Sequence, residues 1–394
     1  MFNGTIEIKN RKLFETPSPV PEEFIDAAIE VAVKKLLRDE DDLAKFTPPE
    51  TINFKYEKRD NGAEWTSGLN TGVLWLAYEL TGDTRFYNAA KEQVKTYRER
   101  FEKKTGLMNH DVGFVFTPSI VADYKLTGNE ESRKLALEAA EHLATCGWSE
   151  KVGYIKRGMG TWAGGYRTLV DTMMNIPLLM WAGRETGNEE FTNKAISHYR
   201  NTAKYLVRAD GSTYHHFQFE PETEEPVGGI TLQGYGDESC WSRGHSWLIY
   251  GYPIAYSYTK DESILSVHKA VTNYFLNSLP SDLIPYWDLI FTEGSTQPRD
   301  ASAAAVSVCG LLEICKYLGE DDPYRNLYKN AADRMMKALI QKCSNLDDEK
   351  DGLLCHVTHA LPQNRGIDEA AIYGDFFYLE ALLRYKKPDW NKYW

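Results

Sequence analysis

Two aspartates stand where carboxylates are seldom found. Asp171 is the one acid in the run Tyr166 to Trp181, YRTLVDTMMNIPLLMW, and Asp111 stands between His110 and the apolar stretch Val112-Gly113-Phe114-Val115-Phe116. So little polar surface in the first run predicts a helix buried on nearly all sides. A carboxylate kept from water has its neutral form favoured, and Asp171 would then still hold a proton near neutral pH. The competing reading makes Asp171 a helix cap that accepts hydrogen bonds from the following turn. Two half-buried aspartates flanked by aromatic and methionine side chains suit two-carboxylate sugar chemistry.

Residues able to bind such a substrate cluster in a few other segments. Gln233 to Trp247, QGYGDESCWSRGHSW, holds Trp241, Arg243 and Trp247 within seven residues. Indole faces stack on sugar rings, and the planar fork of Arg243 suits a carboxylate. Against this, either Trp can be plain core, and Arg243 can pair with Asp237 or Glu238. Trp65 precedes another apolar run. Of the adjacent His215 and His216, alternation along a strand turns one away from any site. His110 has no second ligand at a fixed spacing, so no metal site is expected.

These residues must be positioned by helices. Apolar runs alternate with amphipathic ones, and the turns between them repeat: Leu80-Thr81-Gly82-Asp83, Leu126-Thr127-Gly128-Asn129 and Glu185-Thr186-Gly187-Asn188, with looser versions at Tyr258-Thr259-Lys260-Asp261 and Leu318-Gly319-Glu320-Asp321. Glycine ends one helix in the left-handed conformation and Asp or Asn begins the next. An alternation of fully and half-buried helices describes an inner ring wrapped by an outer one, because no hairpin covers its apolar face alone. Five hairpins plus a terminal helix pair predict an all-α toroid. We expect residues 1–20 to form an irregular arm and 21–394 a single domain, its first helix opening at Pro21 and running to about Arg38. Ser212 to Phe219, followed by the turn at Pro221 to Glu224, reads as an extended pair. Loops entering the inner helices share one face, where the unusual residues should gather.

Composition narrows the function. With 394 residues, 42% hydrophobic and 26% charged, the chain can bury a large core. A net charge of -12 without a basic run argues against nucleic acid, and obliges an anionic ligand to find local positive groups. No basic start with an apolar segment and no membrane-length run are seen, so a cytoplasmic protein is expected. The six cysteines lack C-x-x-C spacing and read as free thiols.

Taken together and in order, Glu64-Trp65-Thr66-Ser67-Gly68, His110-Asp111-Val112-Gly113-Phe114, Leu169-Val170-Asp171 with Asn175, Gln233-Gly234-Tyr235, Cys240-Trp241-Ser242-Arg243-Gly244, Pro285-Tyr286-Trp287-Asp288, Pro298 to Ala303 and Tyr373 to Tyr378 resemble glycoside hydrolase family 88, the unsaturated glucuronyl hydrolases. The resemblance implies an (α/α)6 barrel. It also implies hydrolytic removal, without a cofactor, of the unsaturated uronic acid that polysaccharide lyases leave on glycosaminoglycan fragments. By motif match Asp171 takes the position of the general acid and base and Asp111 that of the assisting aspartate. His215, Gln233, Trp241, Arg243 and Trp247 fall on substrate-binding positions, with Trp65 and His110 nearby. Members favouring 6-sulfated disaccharides carry Ser-x-x-Ser-x-Lys where this chain reads Ala360-Leu361-Pro362-Gln363-Asn364-Arg365, so Arg365 alone keeps the positive charge. Related hydrolases of pectin fragments, and a glycan-binding barrel whose aspartates only cap helices, are the alternative readings.

Overall fold

The structure, a computed structural model, describes residues 6–59, 64–159 and 165–394. Its helices are α1 (Arg11–Glu15), α2 (Glu22–Arg38), α3 (Glu40–Lys45), α4 (Ser67–Thr81), α5 (Thr84–Lys103), α6 (Val112–Phe116), α7 (Ala122–Thr127), α8 (Glu130–Cys146), α9 (Pro177–Thr186), α10 (Glu189–Tyr205), α11 (Ser242–Thr259), α12 (Ser263–Ser278), α13 (Ala301–Ile314), α14 (Pro323–Lys342) and α15 (Ile372–Lys386). The inner ring runs α4, α6–α7, α9, α11, α13, α15 and back to α4, each packed on the next. The outer partners are α5, α8, α10, α12, α14 and α2, so the closing pair joins α15 to α2 from opposite ends of the chain. This is the (α/α)6 barrel.

The turn chemistry works as expected. Gly82, Gly128 and Gly187 end α4, α7 and α9 with φ of 71°, 71° and 73°. Asp83, Asn129 and Asn188 then cap the next helix by accepting from the backbone N–H two residues on. At the fifth turn the cap is Asp322, which accepts from Tyr324. Inner helices approach closely where side chains are small. A Cβ on Gly68 of α4 would lie 2.2 Å from the Phe114 carbonyl oxygen of α6.

Two inner segments are less regular than the sequence suggests. The run from Tyr166 is no single helix: β5 (Arg167–Leu169) leads into a 3-10 turn, Val170–Met174, and α9 begins only at Pro177. Pro177 has no N–H to extend a helix backwards but fits the first helical position, while Arg167 to Leu169 are drawn into a sheet. The second inner helix is interrupted by a π turn, Thr117–Val121, around Pro118, whose missing N–H breaks the regular ladder.

Of the strands, β1 (Thr51–Ile52) pairs with β2 (Lys55–Tyr56) and β3 (Trp148–Ser149) with β4 (Tyr154–Ile155), both antiparallel. The predicted extended pair is β6 (His216–Phe219) with β7 (Pro226–Ile230), and β6 also pairs with β5. The N-terminal arm is more ordered than expected. Its residues from Ile6 pack on the outer layer, where Asn273 donates to the Ile6 carbonyl and Asn330 to that of Phe14; Met1 to Thr5 lie outside the described residues. Cys240, Cys309, Cys315, Cys343 and Cys355 are thiols. No helix among the described residues is long and apolar enough to cross a membrane.

Candidate active site

The loops entering the inner helices meet around a cavity of about 210 Å³, the space of roughly seven waters at ~30 Å³ each and enough for a sugar ring. Asp111, Asp171, His110, His215, Trp65, Trp241, Gln233, Arg243 and Arg365 all line it. So do Arg157 and His359, which sequence reasoning had not named, and His216 and Gln363, which it had named as possible donors. Three of these residues, Arg157, Arg243 and Arg365, bring positive charge to the cavity of an acidic protein, as an anionic ligand requires.

Neither aspartate acts as a cap. Asp111 occupies the N-cap position of α6 without accepting a side-chain cap bond, and Asp171, in the first turn of the 3-10 segment, makes none either. The buried Asp171 Oδ2 has no hydrogen-bond partner. His215 Nε2 lies 3.6 Å from it, farther than a hydrogen bond reaches. On the other side, His110 Nε2 is 3.2 Å from Asp111 Oδ1 and His110 Nδ1 donates to the Arg157 carbonyl.

The protonation pattern corrects the expectation for Asp171. Burial acts to raise its pKa, but the imidazoles of His215 and His110 and the guanidinium of Arg243 outweigh burial and hold it below the ordinary aspartate value. Asp111 is the raised one, by burial first and then, against the pull of His110, by the negative charge of Asp171. Two carboxylates on one cavity compete for a proton, and of the two Asp111 is the one whose neutral form the surroundings favour. Burial lowers His215, which is neutral at pH 7. Its Nδ1 accepts from the backbone N–H of Leu232 and of Gln233, each at 3.3 Å, so the ring proton sits on Nε2, facing Asp171.

Both adjacent histidines reach the cavity, because His215 lies just before β6 and escapes the alternation that begins at His216; their Nε2 atoms are 3.0 Å apart. Trp241 packs its ring 4.5 Å from that of His215, and Trp65 stacks on Tyr373 at 5.4 Å.

Arg243 differs from expectation. It is 1% exposed and donates through Nη1 to Asp300 Oδ2 at 2.6 Å and to the Thr358 carbonyl, and through Nη2 to the His359 carbonyl. Its guanidinium is sandwiched between Trp241 and Tyr373, at 4.7 and 4.6 Å. The fork is thus already engaged, by Asp300 rather than by Asp237 or Glu238. Trp247 is not brought to the cavity: wholly buried in the core, it packs between Phe114 and Phe377. Arg365 lines the cavity, but Glu50 accepts from its Nε at 2.5 Å and its Nη2 at 3.0 Å. Glu50 also meets His359 Nδ1 at 3.1 Å, and these partners, against its burial, hold it down at about 2. The Gln233 amide donates to the His359 carbonyl. Only the Asp300 motif hinted at this scaffold, since the bonds join residues far apart in sequence. Among the described residues no group of three or more His, Cys, Asp or Glu is placed to hold a metal ion.

The profile of Glycosyl Hydrolase Family 88 matches residues 43–377. The chain is 42% identical to the unsaturated chondroitin disaccharide hydrolase of Streptococcus pneumoniae, over 99% of each chain. It is 37% identical to the unsaturated glucuronyl hydrolase of Bacillus sp. GL1, over 84% of this chain and 89% of that one. Its structure superposes on the crystal structure of unsaturated glucuronyl hydrolase from Streptococcus agalactiae with a TM-score of 0.95, at 41% identity, covering both chains fully. The chain belongs to glycosyl hydrolase family 88.

Proposed function

We propose that the protein is an unsaturated glucuronyl hydrolase, removing the 4,5-unsaturated glucuronic acid from the non-reducing end of lyase-generated chondroitin- or hyaluronan-type disaccharides. The observation that carries this reading is the pair of aspartates at helix starts that cap nothing and line one cavity. A glycan-binding barrel would have no use for two such carboxylates. Relatives support the substrate class: three streptococcal relatives bear the name unsaturated chondroitin disaccharide hydrolase, and a mutant of the Streptococcus agalactiae enzyme was solved complexed with dGlcA-GalNAc6S. Two different aspartates were changed to asparagine in that enzyme, sixty positions apart, the separation of Asp111 and Asp171 here.

The double bond joins C4 to C5, and C5 also carries the ring oxygen, so the group is a vinyl ether. Protonation at C4 leaves a cation at C5 stabilised by that oxygen. In the proposed reaction Asp171 gives this proton and then, as carboxylate, takes one from the water whose oxygen bonds to C5. The resulting hemiketal opens and releases the partner sugar, with atoms and charge balanced. Asp171 must first gain a proton, and the incoming uronate provides for that. It expels water and sets a like charge beside the carboxylate, both of which raise its pKa. His215, neutral with its proton on Nε2, stands 3.6 Å from the carboxylate as a neighbouring donor, and Asp111, beside His110, is the assisting acid. The substrate carboxylate meets the field of Arg157 and Arg243, and Trp65 and Trp241 flank the ring. A cytoplasmic location belongs to the same proposal, supported by the free thiols.

Loss of the ultraviolet absorbance of the conjugated double bond, followed with unsaturated disaccharides from chondroitin, hyaluronan and pectin, tests the reading. Asp171→Asn keeps shape but has no acidic proton, so turnover should vanish with the fold intact. Residual activity within tenfold of wild type, about 1.4 kcal/mol of barrier, refutes Asp171 as proton donor, and faster turnover of the pectin fragment refutes the substrate class.

A further inference from the structure

We propose that Asn175 is a positioning residue that clamps the two aspartate-bearing segments to each other and so sets the separation of Asp111 and Asp171. This rests on the hydrolase reading above for its kinetic consequence, though not for its structural one. Asn175 is fully buried and does not line the cavity. Its Oδ1 accepts from the Phe114 N–H at 2.7 Å, three residues beyond Asp111, in the first turn of α6, where that N–H has no partner within the helix. Its Nδ2 donates to the Asp171 carbonyl at 3.2 Å. One rigid amide therefore joins the segment under each carboxylate, the bond from Phe114 buried and the bond to Asp171 partly so.

Backbone packing reinforces the amide. A Cβ on Gly113 would fall 2.3 Å from the Asn175 carbonyl oxygen and 2.4 Å from its Cα, so the two chains touch where only glycine fits. Around this contact the two segments are irregular, a 3-10 turn on one side and a helix running into a π turn on the other. Neither is held in register by a long helix of its own, so a cross-link between them is the feature that fixes their spacing. Asp111 faces His110, Asp171, Arg157 and Arg100, and Asp171 faces His215, His110 and Arg243. The negative charge of Asp171 raises Asp111, so a wider spacing weakens that effect and lets Asp111 titrate lower.

Asn175→Ala and Asn175→Leu test the clamp. The leucine variant keeps nearly the volume of the side chain without its donor or acceptor and adds no charge, so it carries the test if the alanine variant does not fold. Folded variants should lose about a hundredfold in kcat, the scale of a 1 Å misplacement, with KM within threefold of wild type. An infrared titration of the Asp111 carboxyl, its band identified by its loss in Asp111→Asn, should move down in pH. A kcat within threefold of wild type overturns the proposal, as does a lower kcat with the Asp111 titration unmoved. If wild type turns over none of the disaccharides, the function above fails while the infrared titration still decides the clamp.

Discussion

Replacing Arg243 by alanine should cost the protein stability before it costs substrate affinity. The side chain is a cation 1% exposed against an aspartate, Asp300, that is 0% exposed. Removing one partner of such a pair leaves the other charge buried and uncompensated, which costs about 3–5 kcal/mol. The Thr358 and His359 carbonyls lose their donor in the same step, and the space between Trp241 and Tyr373 empties. These losses overlap and do not add. At about 2.1 cal/mol/K of unfolding entropy per residue, a chain of 394 residues should melt roughly 4–6 °C lower. Adding Asp300→Asn removes the stranded charge, so the double variant should recover a good part of the fall. Thermal melts of the two single variants and the double, beside KM for the preferred disaccharide, decide the matter. A melting point within 1 °C of wild type together with a tenfold rise in KM would refute this reasoning and make Arg243 a direct ligand of the uronate.

Three other outcomes follow from buried groups. Asp375, 2% exposed, is pushed up to about 6 by burial, against the N–H groups of Leu353 and Leu354 that it accepts from. The native state therefore holds that proton longer than the unfolded chain, and wild-type stability falls as pH rises from about 4 through 6; Asp375→Asn should be more stable above pH 7, by up to ~3 kcal/mol, with no gain below pH 4, and a gain that persists in acid would count against it. Glu50 occupies the Arg365 fork, so unsulfated and 6-sulfated disaccharides should show kcat/KM within tenfold of each other. Glu50→Gln should shift the ratio towards the sulfated sugar, and a wild-type preference above about a hundredfold, ~2.7 kcal/mol, contradicts this. Trp247→Ala should destabilise by about 3–5 kcal/mol, whereas Trp247→Phe should keep KM within threefold; a large KM change in the phenylalanine variant would place the indole in the binding site.

What short-range chemistry controls was legible in the chain before any folding. Left-handed glycines followed by Asp or Asn set the ends and starts of α4, α5, α7, α8, α9 and α10, and the apolar runs named the inner ring, because helix termination and burial are written within a few residues. The two odd carboxylates were legible for the same reason. Tertiary structure decided the rest. Apolar composition alone does not separate a buried helix from a strand and a 3-10 turn, and the run holding Asp171 became the latter once β6, nearly fifty residues on, offered β5 a pairing edge. Which aspartate is the more easily protonated depends on where His215 and Arg243 come to lie. The partner of Arg243 is Asp300, 57 residues away, and that of His359 is Glu50, 309 residues away. Buried charges take the partner that ring closure delivers, since water is no longer available to them, and no local pattern records which partner that will be.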